Sequence, residues 1–184
     1  MKPDELRELI NNHLEQNEYT KSLEYSQELM KAHPADLVFE DHSKAGYCYL
    51  MLDQEEDAAG CYSEALKLKP DDAMALANRG GSLFNLGRME EAFSDFRQAL
   101  SLKPDLFIPW HYISLHHLRK YLETGDPDSL QKMVNAYRRI LVMVPDYGSF
   151  PVRSYHSDVA ERLDEFVLKH KDLPELSLEE IITV

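Results

Sequence analysis

The histidines of this 184-residue sequence are the first side chains to consider for metal chemistry. His111, His116 and His117 lie close together along the chain, and imidazole nitrogens are common zinc ligands. On a helix, however, separations of five and six residues do not bring three rings to one face. No cysteine or carboxylate at i,i+4 completes a ligand set either. We therefore interpret these histidines as surface or partly buried side chains and predict no metal site.

The remaining chemistry-bearing groups form no catalytic pattern. Cys48 and Cys61 have no CxxC spacing, which favours two buried or half-buried thiols in a reduced compartment. Acidic runs at Glu55–Asp57 and Glu90–Glu91 are explained by the positive end of a helix dipole. The sequence contains no glycine-rich phosphate loop, GxSxG, HExxH or dinucleotide fingerprint. We predict a protein that is not an enzyme and needs no cofactor.

The charge balance excludes two classes of partner. The formal net charge is -13, and the Lys and Arg residues are scattered instead of forming a basic stripe. Because nucleic acids and anionic lipids attract clustered cations, we expect neither to be a partner. The charged beginning of the sequence has no apolar leader, and no window approaches the ~20 apolar residues of a membrane span. We expect a cytoplasmic protein.

An internal repeat in the sequence predicts the helices that would position these groups. Closely similar sequence segments run from Glu64 to Asp71 and from Gln98 to Asp105, 34 residues apart, and a third runs from Arg139 to Asp146. Each segment contains a proline. Between Pro70 and Pro104, apolar and small residues recur at separations of three and four, which predicts two helices with matching faces. The residues on these faces are Leu76, Gly80 and Leu83, followed by Ala92, Phe96 and Ala99.

Breaks between the predicted helices carry residues suited to tight turns. Gly87 can adopt the left-handed conformation that ends a helix, and Asp53 and Asn17 stand at the equivalent places and tolerate it better than most residues. Pro70 and Pro104 then end each second helix, because the residue before a proline is steered away from helical geometry.

Together these features resemble the tetratricopeptide repeat family, whose period is 34 residues. The third copy of the repeat, residues 73–106, resembles the family motif at Gly80, Leu83, Ala92, Phe96, Ala99 and Pro104, although Leu76 stands where tryptophan is common. The second copy, residues 39–72, matches at Ala45, Gly46, Tyr49, Ala58, Tyr62, Ala65 and Pro70. The resemblance implies an all-α fold, a right-handed superhelix of antiparallel helix pairs with a C-terminal capping helix.

We predict four repeats within residues 1–146, followed by a capping helix and tail over 147–184. The repeats cover 3–36, 39–72, 73–106 and 107–146, of which the first is degenerate and the fourth carries a seven-residue extension. Since seven residues are about two helical turns, both helices of the fourth repeat should be one turn longer. Its break at Thr124–Asp128 predicts a helix stop, an aspartate N-cap and a proline in the next first turn.

Beyond the repeats, the sequence predicts a helix from about Val152 to His170 that covers the last repeat. Ser177 and Glu180 then have the spacing of a capping box before Ile181 and Ile182. Residues 172–184 are therefore expected to form either a short helix or an extended arm.

The family resemblance also implies where a partner binds. In tetratricopeptide repeats the first helix of each pair lines the concave side, and carrying its exposed places over gives a groove that is charged in the first repeat and aromatic or apolar later. The predicted contact residues are Lys44, Tyr47, Met51, Met74, Asn78, Phe84, Asn85, Ile108, His111, Tyr112 and Arg119. Tyrosine and methionine supply large, adaptable contact area. We predict a scaffold or adaptor that binds an apolar or helical peptide of a partner protein.

Several alternatives remain open at this point. In one alternative, the chain's own tail covers the groove residues. In another, the long helices of the fourth repeat shift the inner face. A third alternative is a small chaperone or co-chaperone that shields a client. A fourth is a homodimer in which the tail from Leu176 to Val184 enters a neighbour's groove. An enzyme is the most remote alternative.

A carboxylate clamp for acidic chaperone tails is a sharper alternative from the same family. Such a clamp combines cations and asparagines around a terminal carboxylate. One frame of this sequence keeps two of the five clamp residues and the next frame keeps one. The first frame is Arg7, Asn11, Lys44, Met74 and Asn78, and the second is Ser43, Tyr47, Asn78, Ile108 and Tyr112. The sequence therefore favours an apolar peptide over an acidic tail.

Overall fold

The computed structural model describes residues 1–143, 167, 169–170 and 172–183. Within them, the regular structure is helical and includes no strand. The α-helices are α1 (Pro3–Glu15), α2 (Tyr19–Ala32), α3 (Phe39–Met51), α4 (Glu55–Leu68), α5 (Ala73–Asn85), α6 (Met89–Leu102), α7 (Phe107–Thr124), α8 (Pro127–Met143) and α9 (Leu178–Ile182), and a 3-10 turn covers Pro34–Asp36. The predicted all-α class, built from antiparallel helix pairs, is confirmed.

The turns inside the first three pairs have the predicted backbone conformation. Asn17, Asp53 and Gly87 all have positive φ angles, of 57°, 58° and 79°. In that region a side-chain Cβ is crowded, so asparagine, aspartate and glycine are the residues that fit. The second helices α4 and α6 end at Leu68 and Leu102, two residues before the repeated prolines.

The chain divides into two compact units, of which the first is Met1–Pro104. It contains the pairs α1/α2, α3/α4 and α5/α6, and each helix packs on the next along the chain. Close approach inside the third pair depends on Gly80, since a Cβ built there would lie 2.6 Å from Cε1 of Phe96. Phe96, Ala92 and Ala99 are fully buried beside it, as the motif predicted.

The second unit, Asp105–Val184, contains the longer pair α7/α8 and the C-terminal helix α9. α7 has 18 residues and α8 has 17, compared with 13 in α5 and 14 in α6. Gly125 ends α7 in the left-handed conformation with φ of 69°. Asp126 then caps α8, because its carboxylate accepts hydrogen bonds from the Ser129 N–H and hydroxyl at 3.2 and 2.7 Å. Both helices are longer, as the extra residues predicted.

The predicted capping helix from about Val152 to His170 falls almost entirely outside the described residues. Of the two predicted forms, the short helix is present as α9 after Ser177, and residues 172–176 before it have no regular secondary structure. Ser177 and Glu180 form the predicted capping box, with the Ser177 N–H donating to Oε2 of Glu180 at 2.8 Å. Among the described helices, none is long and apolar enough to cross a membrane.

Candidate functional site

Two large apolar side chains are exposed on the first helices of unit 1. Tyr47 on α3 is 42% exposed and Met74 on α5 is 48% exposed, whereas the motif residues of the same helices are buried, apart from half-buried Tyr49. Lys44 precedes Tyr47 by three residues and Met51 follows it by four, so the three share one face of α3. Both Lys44 and Met51 are half-buried. We call the surface formed by Lys44, Tyr47, Met74 and Asn78 the first-helix face.

Asn78 is linked to its surroundings through Tyr62 on α4. The Asn78 amide donates a hydrogen bond of 3.2 Å to the Tyr62 hydroxyl. Tyr62 is fully buried, and its burial raises the pKa of the phenol far above its ordinary value. The Tyr47 phenol lies near enough to contribute to that shift. The neutral Tyr62 hydroxyl therefore orients the Asn78 amide on the first-helix face and places it in the same neighbourhood as Tyr47.

The other predicted contact residues of α5 differ in exposure. Phe84 is only 4% exposed, so it packs into unit 1 and offers little surface. Asn85 is exposed, and its amide donates a hydrogen bond of 2.7 Å to Oε1 of Glu55. The participation of both residues in partner binding stays a prediction.

Arg7 and Asp41 form an ion pair between neighbouring repeats that the sequence analysis missed. Nε and Nη2 of Arg7 donate to the Asp41 carboxylate at 3.0 and 2.8 Å, and Nη2 also donates to the Asp36 carbonyl. Burial opposes ionisation of Asp41, but the bonds from Arg7 and from the Val38 N–H outweigh it and lower its pKa. The first cation of the carboxylate-clamp frame is therefore already bonded to a carboxylate of the chain.

In unit 2, the predicted contact residues lie along α7. His111 is 3% exposed and stacks on Phe107, with 5.6 Å between ring centroids, while Tyr112 meets it edge-on at 5.2 Å. Burial lowers the pKa of His111 to about 4, so the ring is neutral at pH 7. Tyr112 and Ile108 are half-buried and Arg119 is exposed. His111 therefore contributes to an aromatic cluster, and its role in binding stays a prediction.

The thiols and histidines form no group that could hold a metal among the residues that the structure describes. Cys48 is buried and Cys61 half-buried, as predicted, and both are free thiols. Burial raises the pKa of Cys48, and it raises that of Cys61 to about 11. Because the thiolate is the reactive form, neither group is activated as a nucleophile. His111 and His117, in contrast, are buried, which is deeper than the sequence predicted.

A polar cleft of about 350 Å³ lies in unit 1 between α4, α5 and α6. Its lining residues are Glu56, Ala59, Gly60, Ser63, Arg79, Leu83, Arg88, Glu91, Ser94 and Asp95. Arg79 donates to both carboxylate oxygens of Asp95 at 2.7 Å, and Arg88 is paired with Glu91 at 2.7 Å. Since both arginines are paired with carboxylates, the cleft does not present the unopposed positive charge that a phosphate group needs.

Replacement of Asp95 with asparagine is expected to destabilise unit 1 by about 2 kcal/mol, because half-buried Arg79 would lose its charged partner. The Asp95 side chain is 7% exposed and that of Arg79 26%. Urea unfolding followed by far-UV circular dichroism measures the effect. Glu64→Gln is the matched control, since its pair with Lys67 is exposed and screened by water, so the change should cost much less than Asp95→Asn. Equal losses in the two variants would contradict this role of Asp95.

Comparison with known proteins places the repeat in a family. The sequence model of the tetratricopeptide repeat matches residues 54–106. Protein arginine N-methyltransferase 9 of Mus musculus is 34% identical over 83 residues, which cover 38% of this chain and 10% of that protein. The small glutamine-rich tetratricopeptide repeat-containing protein 2 of Saccharomyces cerevisiae is 25% identical over 122 residues, covering 66% of this chain and 33% of that protein. The chain thus spans about a tenth of the methyltransferase and a third of the yeast protein.

Solved structures agree with the fold. The MamA protein superposes with a TM-score of 0.65 at 16% identity, covering 98% of this chain and 90% of its own. The first tetratricopeptide repeat domain of Spaghetti (RPAP3), solved with the HSP90 peptide SRMEEVD, has a TM-score of 0.54 at 24% identity and covers 66% and 91% of the two chains. Residues 54–106 are therefore tetratricopeptide repeat sequence, and the chain has the fold of the tetratricopeptide repeat proteins.

Proposed function

We propose that this protein is a non-catalytic interaction module that binds an apolar or amphipathic peptide segment of a partner protein on its first-helix face. The observation that carries the proposal is the exposure of Tyr47 and Met74 on the first helices of two successive repeats. Large exposed apolar side chains beside oriented polar groups are typical of peptide-recognition surfaces. Asn78, oriented by the Tyr62 hydroxyl, supplies the amide that bonds a peptide backbone.

The charges near this face support an apolar ligand over an acidic one. Arg7 is bonded to Asp41, and Lys44 also lies close enough to Asp41 to lower its pKa. Met74 stands where a clamp for a terminal carboxylate has lysine. Three of the clamp positions thus supply a paired cation, a cation beside a carboxylate and a thioether.

The test is a random 12-residue peptide array probed with the wild-type chain and with the double variant Tyr47→Ala/Met74→Ala. Wild-type hits should be enriched in leucine, isoleucine and phenylalanine. The double variant should bind these hits at least tenfold more weakly, because contact residues of this size contribute about 1 kcal/mol or more each. Isothermal titration calorimetry on the five strongest peptides measures the affinities.

The matched control is Leu68→Ala/Leu102→Ala, which removes two apolar side chains of similar exposure, 55% and 46%, from the second helices of the same unit. It should leave peptide binding unchanged. Equal loss in both double variants, or no loss in either, would contradict the assignment of the first-helix face. Circular dichroism spectra of all variants must match the wild type for this comparison.

A second candidate function is recognition of an acidic chaperone tail, as in a co-chaperone that assists a client. It is favoured by the likeness to the RPAP3 domain, which was solved with an HSP90 peptide. The peptide SRMEEVD is the direct probe: low-micromolar binding that is lost in Arg7→Ala would support this candidate, and our proposal predicts affinity weaker than about 100 μM. For either ligand, we propose the cytoplasm as the compartment, since both cysteines are free thiols.

A further inference from the structure

The C-terminal residues 172–183 dock on the long helix pair of unit 2. α9 packs on α8, and its Ile181 and Ile182 are fully buried. On α8, the five consecutive residues 133–137 are all buried, including polar Asn135. A helix that packs on one side only buries every third or fourth residue, so α8 is covered on more than the side that meets α7.

Both ends of the Asn135 side-chain amide form hydrogen bonds with the backbone of the docked segment. Its Nδ2 donates to the Pro174 carbonyl at 3.1 Å, and its Oδ1 accepts from the Leu176 N–H at 3.0 Å. The side chain is 4% exposed, so these bonds are shielded from water. A buried amide bonded at both ends fixes the position of the peptide backbone and selects no particular side chain at those positions.

Other side chains of α7 and α8 also form hydrogen bonds with the backbone of the segment. Arg138 donates to the Leu173 carbonyl at 3.0 Å, and Lys132 donates to the Thr183 carbonyl at 3.2 Å. The His117 ring lies 2.7 Å from the Ile181 carbonyl, which can only accept, so Nε2 of the histidine carries the proton. Each of these side chains bonds a backbone oxygen of the segment.

Charge and shape complete the specificity of the site. The segment contains Asp172, Glu175, Glu179 and Glu180 and no lysine or arginine. Arg138 reaches it from α8, as does Lys132, which is also paired with Asp128 at 2.8 Å. The two buried isoleucines anchor a turn that Ser177 starts. The ligand class is therefore a short acidic segment with a serine cap and two adjacent aliphatic residues.

We infer that this face of α7 and α8 is a second peptide-binding site, which the chain's own tail fills and which accepts the same segment from a second copy of the chain. Every contact described above is made by residues 172–183 themselves. A site that reads a segment through these contacts does not distinguish which chain supplies it. The tail of the same chain prevails only because its covalent attachment gives it a high effective concentration at the site.

The test uses the full chain with the double substitution Ile181→Asp/Ile182→Asp, which removes the tail's own anchors. A fluorescent peptide of residues 172–184 should bind this variant with micromolar affinity in a polarisation assay and bind the wild-type chain at least tenfold more weakly. Addition of Asn135→Ala to the double variant should weaken binding at least tenfold. The same peptide with both isoleucines changed to aspartate is the control ligand and should not bind.

A displacement experiment keeps the inference testable if the double variant does not fold. Millimolar unlabelled peptide added to ¹⁵N-labelled wild-type chain should move the Leu176 amide signal to its undocked position, and the control peptide should not. Absence of displacement, or binding that Asn135→Ala leaves unchanged, would overturn the inference. Tyr47→Ala/Met74→Ala must leave binding of the tail peptide intact, which separates this site from the first-helix face; loss in that variant would also overturn it.

Discussion

Gly80→Ala is expected to destabilise unit 1 by about 3 kcal/mol, at the upper end of the range for overpacked cores. A Cβ at this position would meet Cε1 and Cδ1 of Phe96 at 2.6 and 2.8 Å and the Ala92 carbonyl oxygen at 3.2 Å. The Phe96 ring is fully buried, and the carbonyl belongs to the backbone of α6, so neither yields easily. Urea unfolding followed by circular dichroism at 222 nm measures the loss.

Two other helical glycines supply matched controls. A Cβ at Gly60 meets nothing within 4 Å, so Gly60→Ala should stabilise α4 by about 0.5–1 kcal/mol through helix propensity alone. A Cβ at Gly46 would lie 3.0 Å from the Tyr62 ring, and Gly46→Ala should be intermediate. Phe96→Leu combined with Gly80→Ala should cost less than the sum of the single changes, because it relieves the same contact. Equal stability of the Gly80→Ala and Gly60→Ala variants would refute the close-approach argument.

Acidification from pH 7 to pH 5 is expected to destabilise unit 2 by about 4 kcal/mol, with about 2 kcal/mol from each of two buried histidines. Burial lowers the folded-state pKa of His111 and of His117 to about 4, from 6.5. Between these values the unfolded chain takes up protons that the folded chain refuses, so stability falls as the pH falls. The loss begins near pH 6.5 and levels off below about pH 4, where both states are protonated.

Trp110, the single tryptophan of the chain, is buried in α7 and reports the unfolding of unit 2 by fluorescence. Urea midpoints at pH 7 and pH 5 give the difference. His117→Gln retains an N–H donor for the Ile181 carbonyl but cannot titrate, so it should remove about half of the pH dependence. Adding His111→Gln should remove most of the remainder. A pH dependence unchanged in the double variant would assign the effect to other groups.

The repeat and its turns were predictable because they depend on local properties. Asn17, Asp53 and Gly87 occupy backbone conformations that few residues tolerate, and their spacing relative to Pro70 and Pro104 is visible in the sequence. The same holds for the helix caps at Asp126 and Ser177, whose bonds span three residues. In each case the interaction partner lies within one turn, so residue type and spacing suffice.

The candidate site was predictable only in part. The helical positions of Tyr47, Met74 and Asn78 followed from the repeat register, and Tyr47 and Met74 are exposed. Phe84 and His111 stand at equivalent places and are nevertheless buried. Register determines which helix carries a residue, but exposure depends on the neighbouring elements that pack on it, which a period of 34 does not encode.

The sequence by itself determined the all-α class, the helix pairs and the packing of small residues such as Gly80 against Phe96, because these recur at fixed separations. Only the tertiary structure paired Arg7 with Asp41, 34 residues away, and Asn135 with Leu176, 41 residues away. The physical reason is that a charged or amide side chain has many partners of suitable type in the sequence. Folding selects the one that burial brings within hydrogen-bonding distance.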